Sequence, residues 1–259
     1  MNIGQFPKRV TIELTNKCNL TCSQCPQRYM DSKLGEMSPD LWRKIIKEIR
    51  GHDILAVPFW RGEPFIHSHF RKCMEELLDV CDVGIATNGT VNPYVAVDFS
   101  RMNFVSVSYH TPKARKFIDR VFSIKEANKK QCPFLQVSVI EGEETAKEAN
   151  ELYGNKADSF KIYKEHSDGG RYGSIEGGRS GRTFCDRLLN EITIAYDGEV
   201  SRCCYNWDCD SPMNVRESSI KEVWNSVEYA EIRSEYPDKV CLTCDQWGSR
   251  TITATKGKK

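Results

Sequence analysis

The segment from residue 9 to residue 26 reads RVTIELTNKCNLTCSQCP, and it decides the fold that we expect. Its first seven residues alternate apolar and polar side chains and are rich in β-branched types, a pattern typical of a β-strand. Three cysteines follow with the spacing C-x3-C-x2-C: Cys18, Cys22 and Cys25. A strand that runs into a cysteine loop predicts chemistry at the carboxyl end of that strand.

The rest of the first 165 residues alternates between strand-like and helix-like patterns. Helical periodicity indicates helices at about 41–50, 68–80, 114–130 and 145–153, with a shorter one near 92–101. Six strands that alternate with helices predict an α/β fold, a partial (β/α)6 TIM-like barrel with a parallel sheet. After the first strand, the predicted strands are Ile54–Trp60, Val83–Ala86, Phe104–Tyr109, Leu135–Ile140 and Phe160–Tyr163.

The pattern changes after His166. Residues 167–182 contain six glycines and three arginines, which is typical of a linker or of a loop close to a ligand. Asp197-Gly198 between two apolar runs predicts a β-hairpin, and residues 219–236 predict one amphipathic helix. We therefore expect a barrel domain over 1–165, a connecting loop over 166–184, a small hairpin-plus-helix extension over 185–250 and a flexible tail over 251–259.

Composition excludes several classes of protein. Among 259 residues, 37 basic and 36 acidic side chains leave a net charge of +1, which argues against a binder of nucleic acid or anionic membranes. The longest apolar stretch, Ile54–Trp60, is too short for a membrane helix, and the first residues lack the apolar centre of a secretory signal. We therefore expect a cytoplasmic protein, in which twelve cysteines indicate metal binding or chemistry more than disulfides.

The first cysteine group suits an iron–sulfur cluster better than zinc. Three thiolates can hold three irons of a 4Fe–4S cubane and leave the fourth iron open, whereas a structural zinc site needs a fourth protein ligand. The next histidine or cysteine in the sequence after Cys25 is His52, 27 residues further on.

The segment from Cys18 to Pro26 resembles the signature of the radical S-adenosylmethionine (SAM) superfamily, which implies that Cys18, Cys22 and Cys25 bind a 4Fe–4S cluster. Arg61-Gly62-Glu63-Pro64 is similar to the GGEP motif of that superfamily, with Arg61 in place of the first glycine. The resemblance implies that Gly62 and Glu63 hold the amino group of SAM. By the same resemblance Thr87-Asn88-Gly89 matches the TNG turn, which adds Asn88 to the cofactor-binding residues. The fourth strand brings Ser108 as a cofactor-facing residue and His110 as a catalytic candidate.

The second cysteine group resembles the SPASM extension, or its shorter form, the twitch domain. That resemblance implies one auxiliary 4Fe–4S cluster, with a zinc ribbon as the alternative. Cys204 and Cys209 are left over: they pack in the interior, donate a hydrogen atom to a substrate radical, or replace one of the ligands. Cys73, Cys81 and Cys132 are expected to be structural. The implied auxiliary ligands are Cys185, Cys203, Cys241 and Cys244.

The resemblance implies cleavage of SAM to a 5′-deoxyadenosyl radical, hydrogen abstraction from the substrate and transfer of one electron to the auxiliary cluster. Among radical SAM enzymes the chain most resembles the twitch-type aminocyclitol dehydrogenases, so we expect oxidation of a secondary alcohol of a sugar or cyclitol. Arg171, in the Gly/Arg-rich loop, is the expected ligand of a substrate oxygen. A flavodoxin- or ferredoxin-type protein is the expected electron donor.

Three other functions stay open. The first is modification of a peptide or protein; we expect no fused leader-binding domain, because eight residues precede the first predicted strand. The second is radical epimerisation with Cys204 or Cys209 as hydrogen donor. The third is a zinc-binding interaction module without enzymatic activity.

Overall fold

Six strands in the first part of the chain pair in parallel and alternate with helices. The structure is a computed structural model that describes residues 4–23, 25, 27, 32–92, 97–128, 133–163, 185–209, 211–237, 241, 242 and 244. The predicted α/β fold with a mostly parallel sheet is confirmed. The strands are β1 (Arg9–Ile12), β2 (Leu55–Val57), β3 (Asp82–Thr87), β4 (Phe104–Ser108), β5 (Phe134–Ile140) and β6 (Ser159–Tyr163).

Helices cover the outer face of this sheet. The first, α1, begins at Pro39, and the hydroxyl of Ser38 caps it by accepting the N–H of Leu41. Its apolar side chains recur at helical spacing and are buried, which attaches the helix to the sheet. The helices of the barrel are α1 (Pro39–Ile49), α2 (Phe70–Leu78), α3 (Arg115–Asn128) and α4 (Glu144–Tyr153).

The predicted hairpin is a direct continuation of the barrel sheet. Strands β7 (Glu191–Ile194) and β8 (Val200–Ser201) pair antiparallel, while β7 pairs in parallel with β1. The strand order is therefore β6-β5-β4-β3-β2-β1-β7-β8. The turn requires Gly198, whose φ of +94° is strained for any residue with a Cβ. A short helix that the sequence pattern did not predict, α5 (Asp186–Asn190), leads into β7.

The prediction of one helix over 219–236 is wrong, because two helices occupy this segment. They are α6 (Ile220–Asn225) and α7 (Val227–Ser234). Ser226 between them has ψ of 159°, which is an extended conformation, and its hydroxyl accepts the N–H of Tyr229 as the cap of α7. The apolar periodicity continues across this break, so the pattern alone did not reveal it.

The predicted helix near 92–101 is also wrong for the residues that the structure describes there. Only a 3-10 turn, Phe99–Arg101, is present between residues 97 and 103. The side chain of Asp98 accepts hydrogen bonds from the N–H and the hydroxyl of Ser100, and such local bonds compete with helix propagation. Separately, no helix in the described ranges is both long and apolar enough to cross a membrane.

Replacement of the Ser226 hydroxyl tests the break between α6 and α7. We expect Ser226→Ala to lower the free energy of unfolding by about 1 kcal/mol, because the N–H of Tyr229 loses its capping acceptor. The midpoint of thermal unfolding measures the loss. Ser123→Ala is the control, since the Ser123 hydroxyl bonds within the exposed side of α3 and its removal should cost little. Equal thermal unfolding midpoints for Ser226→Ala and Ser123→Ala would contradict the capped break between α6 and α7.

Candidate functional site

The first cysteine loop leaves the carboxyl end of β1 and places the thiols of Cys18 and Cys22 close enough to interact electrostatically. The Cys25 N–H donates to the Cys22 carbonyl at 3.2 Å, and the N–H of Leu20 donates to the Cys18 sulfur at 3.5 Å. Burial raises the pKa of the Cys22 thiol, and the nearby Cys18 raises it further. Burial likewise raises the pKa of Cys18. Ionised thiolates in this loop are therefore unfavourable unless a cation lies next to them. The irons of a cluster supply that positive charge.

Glu63 lies beside this loop and is 2% exposed. Its carboxylate accepts a hydrogen bond from the Thr87 hydroxyl and another from the Asn88 N–H, each at 2.8 Å. Burial nevertheless raises the pKa of Glu63 to about 7, since these hydrogen bonds only partly offset desolvation. A cation bound next to Glu63 would lower this pKa and stabilise the carboxylate.

Asn88 joins the TNG turn to the cysteine loop. Its amide nitrogen donates to the Asn19 side chain at 2.9 Å and lies 3.8 Å from the Cys18 sulfur. The Asn88 side-chain oxygen accepts the N–H of Thr90 at 2.9 Å. The predicted residues Glu63 and Asn88 are therefore in contact with each other and with the loop of Cys18.

Gly62 is required by the close approach of two backbone segments. A Cβ at this position would lie well inside van der Waals contact with the carbonyl oxygens of Thr15 and Lys17. The neighbouring N–H of Glu63 donates to the Lys17 carbonyl at 2.8 Å. The backbone at Gly62 thereby fixes the position of Glu63 against the start of the cysteine loop.

The sheet from β4 to β6 has one polar face, defined by residues that lie opposite each other in the strand register. Ser106 lies beside Gln136, whose amide nitrogen donates to the Ser106 hydroxyl at 3.0 Å. Ser108 lies beside Ser138, and their hydroxyl oxygens are 3.5 Å apart. The alternate residues of β4 and β5 are buried and apolar. Directly paired residues point to the same face of a sheet. We call this surface the polar face: Ser106, Ser108, Gln136, Ser138, Ser159 and Lys161.

His110 and Glu143 follow β4 and β5 at the same edge of the sheet. The His110 Nδ1 lies 3.4 Å from a Glu143 carboxylate oxygen, and the two side chains are 20% and 23% exposed. Glu143 is also close enough to Cys22 to contribute to the raised pKa of that thiol. The pair therefore lies at the carboxyl ends of β4 and β5, with Glu143 close to Cys22.

The C-terminal cysteines also lie near one another. Burial raises the pKa of the Cys203 thiol, and the thiols of Cys204, Cys185 and Cys244 add to the increase, so Cys203 interacts electrostatically with all three. The Cys244 N–H donates to the Cys241 carbonyl at 3.3 Å. In the described part of the chain, no three His, Cys, Asp or Glu side chains converge on a single metal ion.

Cys204 interacts with Cys203 and also lies beside an ion pair. The Arg187 guanidinium donates to the Cys204 sulfur at 3.4 Å and to Glu191 at 3.0 Å. Burial alone would raise the pKa of Glu191, but Arg9 and Arg187 lower it below the usual value. The sulfur of Cys204 therefore belongs to a network of charged side chains, and burial raises its pKa to about 12.

The remaining predicted residues are placed as follows. Cys73 is buried on α2, and the partly buried Cys81 thiol donates to the Leu77 carbonyl at 3.8 Å. Cys209 has φ of +49° and a pKa raised to about 12 by burial. Arg171 and Cys132 lie outside the described residues.

Two acidic residues of the site were missed by sequence reasoning. Glu13 pairs with the buried Arg61, and Glu143 pairs with His110. An acidic side chain within the otherwise β-like run at 9–15 is a signal that could have indicated Glu13. No comparable signal marks Glu143, which follows β5 in an acidic stretch of loop.

Comparison with known proteins identifies the family of this chain. Residues 12–137 match the Radical SAM superfamily, and residues 185–245 match SPASM, an iron–sulfur cluster-binding domain. The chain therefore belongs to the radical SAM superfamily and carries a SPASM domain. Its cofactors are SAM, the 4Fe–4S cluster of the radical SAM domain and further iron–sulfur clusters in the SPASM domain. Both matches lie inside the two domains predicted from sequence.

Individual relatives share only part of this chain. It is 31% identical over 87 residues to a tungsten-containing aldehyde ferredoxin oxidoreductase cofactor-modifying protein of Pyrococcus furiosus, covering 32% of the chain and 24% of that protein. It is 34% identical over 85 residues to the PqqA peptide cyclase of Bradyrhizobium diazoefficiens, covering 32% of the chain and 21% of that protein. Each match therefore spans a quarter or less of these relatives.

The fold as a whole is similar to that of BtrN, whose crystal structure was determined in complex with AdoMet and 2-DOIA. The TM-score is 0.61 at 15% sequence identity, and the similarity covers 96% of this chain and 97% of BtrN. At this level of identity the similarity concerns the fold, which in radical SAM neighbours is a partial TIM barrel.

The close approach at Gly62 leads to a stability prediction. We expect Gly62→Ala to lower the free energy of unfolding by about 1–3 kcal/mol, because backbone carbonyls near the new methyl group cannot move aside as a side chain can. Thermal unfolding of the anaerobically purified protein measures this loss. Gly4→Ala is the control, since its Cβ would lie at an ordinary 3.4 Å from the Phe6 carbonyl. Unchanged stability of Gly62→Ala would contradict the close approach.

Proposed function

We propose that this radical SAM enzyme oxidises a secondary alcohol of a sugar or cyclitol to a carbonyl group. The polar face carries this proposal, because hydroxyl and amide groups on adjacent strands suit a small polyhydroxylated substrate. The similarity in fold to BtrN, a twitch-type radical SAM dehydrogenase, is consistent with it. The proposed electron donor for the enzyme is a flavodoxin or ferredoxin.

We propose the two cysteine groups as the cluster ligands. Cys18, Cys22 and Cys25 would leave one iron open for SAM, while a set of four would close the auxiliary cluster to substrate. The electrostatic contacts of Cys22 with Cys18, and of Cys203 with Cys185 and Cys244, support a shared site in each group. The proposed auxiliary set is Cys185, Cys203, Cys241 and Cys244.

Glu63 and its neighbours are the proposed SAM-binding residues. A buried carboxylate beside the cysteine loop suits the ammonium group of the methionine moiety, since charge-assisted hydrogen bonds are the stronger kind. The backbone at Gly62 and the backbone N–H of Asn88 hold this carboxylate in place, and the side chain of Asn88 reaches the Cys18 sulfur. Ser108 lies further along the edge, on the polar face, where a ribose or a substrate hydroxyl would find a partner.

His110 is the proposed acceptor of the substrate hydroxyl proton. When bound, the cofactors supply removal of a hydrogen atom from carbon and uptake of one electron. The oxidation of an alcohol to a carbonyl group then balances only when the hydroxyl proton also leaves. The His110 imidazole, next to the Glu143 carboxylate, is a better acceptor for this proton than the guanidinium of Arg171. Glu143 would stabilise the imidazolium, and Arg171 stays a proposed ligand of a substrate oxygen.

A peptide substrate is the second candidate. The name of the PqqA peptide cyclase states that a relative acts on a peptide, and that protein is 34% identical over 85 residues. Epimerisation by Cys204 is less favoured, since its sulfur takes part in the network of Arg187 and Glu191.

The substrate class is tested by anaerobic turnover with SAM and a reductant. We expect cyclitols or amino sugars to yield 5′-deoxyadenosine together with a product that has lost two hydrogens, identified by mass spectrometry. A peptide product in place of these would refute the proposal. Deuterium uptake from solvent without net oxidation would refute it as well, in favour of epimerisation.

The two cysteine groups lead to a prediction about iron content. We expect about eight irons per chain after anaerobic reconstitution, and about four when Cys18, Cys22 and Cys25 are all replaced by alanine, because each cubane holds four irons. That variant should no longer cleave SAM. Cys73→Ala is the control, since Cys73 is buried on α2 and should not change the iron content. Four irons in the unchanged protein, or SAM cleavage by the triple variant, would contradict the ligand assignment.

The role of His110 leads to a separate kinetic prediction. We expect His110→Gln to lower kcat for alcohol oxidation roughly 100-fold, the size of a typical general-base contribution, while SAM affinity stays within a factor of about two. His52→Gln is the matched control. The His52 ring stacks on the Phe6 ring, with centroids 3.8 Å apart, and this contact is away from the cysteine loops. Full turnover by His110→Gln would exclude the proposed proton transfer.

A further inference from the structure

The residue that replaces the first glycine of the GGEP motif forms a buried ion pair. The Arg61 guanidinium donates through Nε and Nη2 to the two carboxylate oxygens of Glu13, at 2.7 Å and 2.6 Å. The side chains are 4% and 0% exposed. Such a two-bond contact between planar groups determines orientation as well as distance.

This pair joins the barrel to the hairpin extension. The second oxygen of Glu13 also accepts the N–H of Tyr196, just after β7, at 3.2 Å. The third nitrogen of Arg61, Nη1, donates to the Trp207 carbonyl at 2.9 Å. One ion pair therefore contacts the end of β1, the SAM-binding motif, the hairpin and the loop after β8.

Trp60 makes a second connection to the same loop. Its indole N–H donates to the Cys204 carbonyl at 2.6 Å, and the Arg61 guanidinium lies 4.0 Å from the centre of the Trp60 ring. The loop over 202–209 therefore receives two hydrogen bonds from adjacent residues of the motif. It is also held internally, because the Ser201 hydroxyl donates to the Cys203 carbonyl at 3.0 Å.

Cys203, the proposed auxiliary ligand, lies in this loop. A glycine at position 61 could make neither the ion pair nor the bond to the loop, so the departure from GGEP adds a specific connection. We propose that Arg61 and Trp60 are positioning residues, which hold the loop of Cys203 at a set distance and orientation from the SAM-binding motif. The proposal rests on the proposed cluster ligands and is independent of the substrate.

The first test measures the auxiliary cluster by itself. In the variant with Cys18, Cys22 and Cys25 replaced by alanine, only the auxiliary cluster remains, and its electron paramagnetic resonance spectrum and reduction potential can be recorded without SAM or substrate. Adding Arg61→Lys keeps the charge but loses the planar fork that bonds Glu13 and Trp207. We expect a changed spectrum and a shifted potential with the iron content still at about four per chain.

The second test measures coupling, the amount of product formed per SAM cleaved, in the enzyme with both clusters. We expect Arg61→Lys to lower the product formed per SAM cleaved roughly tenfold, the effect of losing one hydrogen bond to a charged group. Trp60→Phe is the second variant, since it keeps an aromatic ring but removes the N–H that bonds Cys204, and it should act in the same direction. It also replaces Arg61→Lys if the lysine variant does not fold.

Asp158→Asn is the matched control, because Asp158 pairs with Lys125 at the opposite end of the sheet. It should leave the spectrum, the potential and the coupling unchanged. The proposal is overturned if Arg61→Lys and Trp60→Phe both leave the auxiliary spectrum and potential unchanged, or if Asp158→Asn changes them equally. Failure of alcohol oxidation would leave these spectroscopic results standing, so the two proposals can fail separately.

Discussion

One buried residue, Glu63, holds together the loops that follow the first three strands of the barrel. The Thr87 hydroxyl and the Asn88 N–H donate to it, while its own backbone N–H donates to the carbonyl of Lys17. A buried carboxyl group that loses its hydrogen-bond partners is destabilised, so separation of these loops is energetically unfavourable. The cysteine loop, the RGEP segment and the TNG turn consequently act as one unit.

The extension shares the hydrogen-bonded sheet of the barrel. Strand β7 pairs in parallel with β1, and the first cysteine loop follows β1 directly. The position of the C-terminal cysteines relative to that loop is therefore set by strand pairing in addition to the contacts of Glu13 and Arg61. The hairpin that precedes Cys203 and the strand that precedes the first cysteine loop therefore belong to one sheet.

Sequence reasoning succeeded where the signal was local. Alternation located six strands, Ser38-Pro39 located the start of α1, and Asp197-Gly198 located the hairpin turn. It failed at Ser226, since an extended residue can interrupt a helix without changing the apolar period on either side. Glu63 and Asn88 were assigned to a cofactor site from the resemblance to the GGEP and TNG motifs, and the structure brings these two residues into contact.

The sequence by itself determined the fold class, the grouping of the cysteines and the radical SAM motifs, because each depends on spacing over a few residues. Only the tertiary structure decided the partners of Arg61 and His110. Glu13 is 48 residues from Arg61, and Glu143 is 33 residues from His110. Such pairs form where sheet register and strand order bring distant segments into contact, and a local pattern contains no information on which charged side chains will meet there.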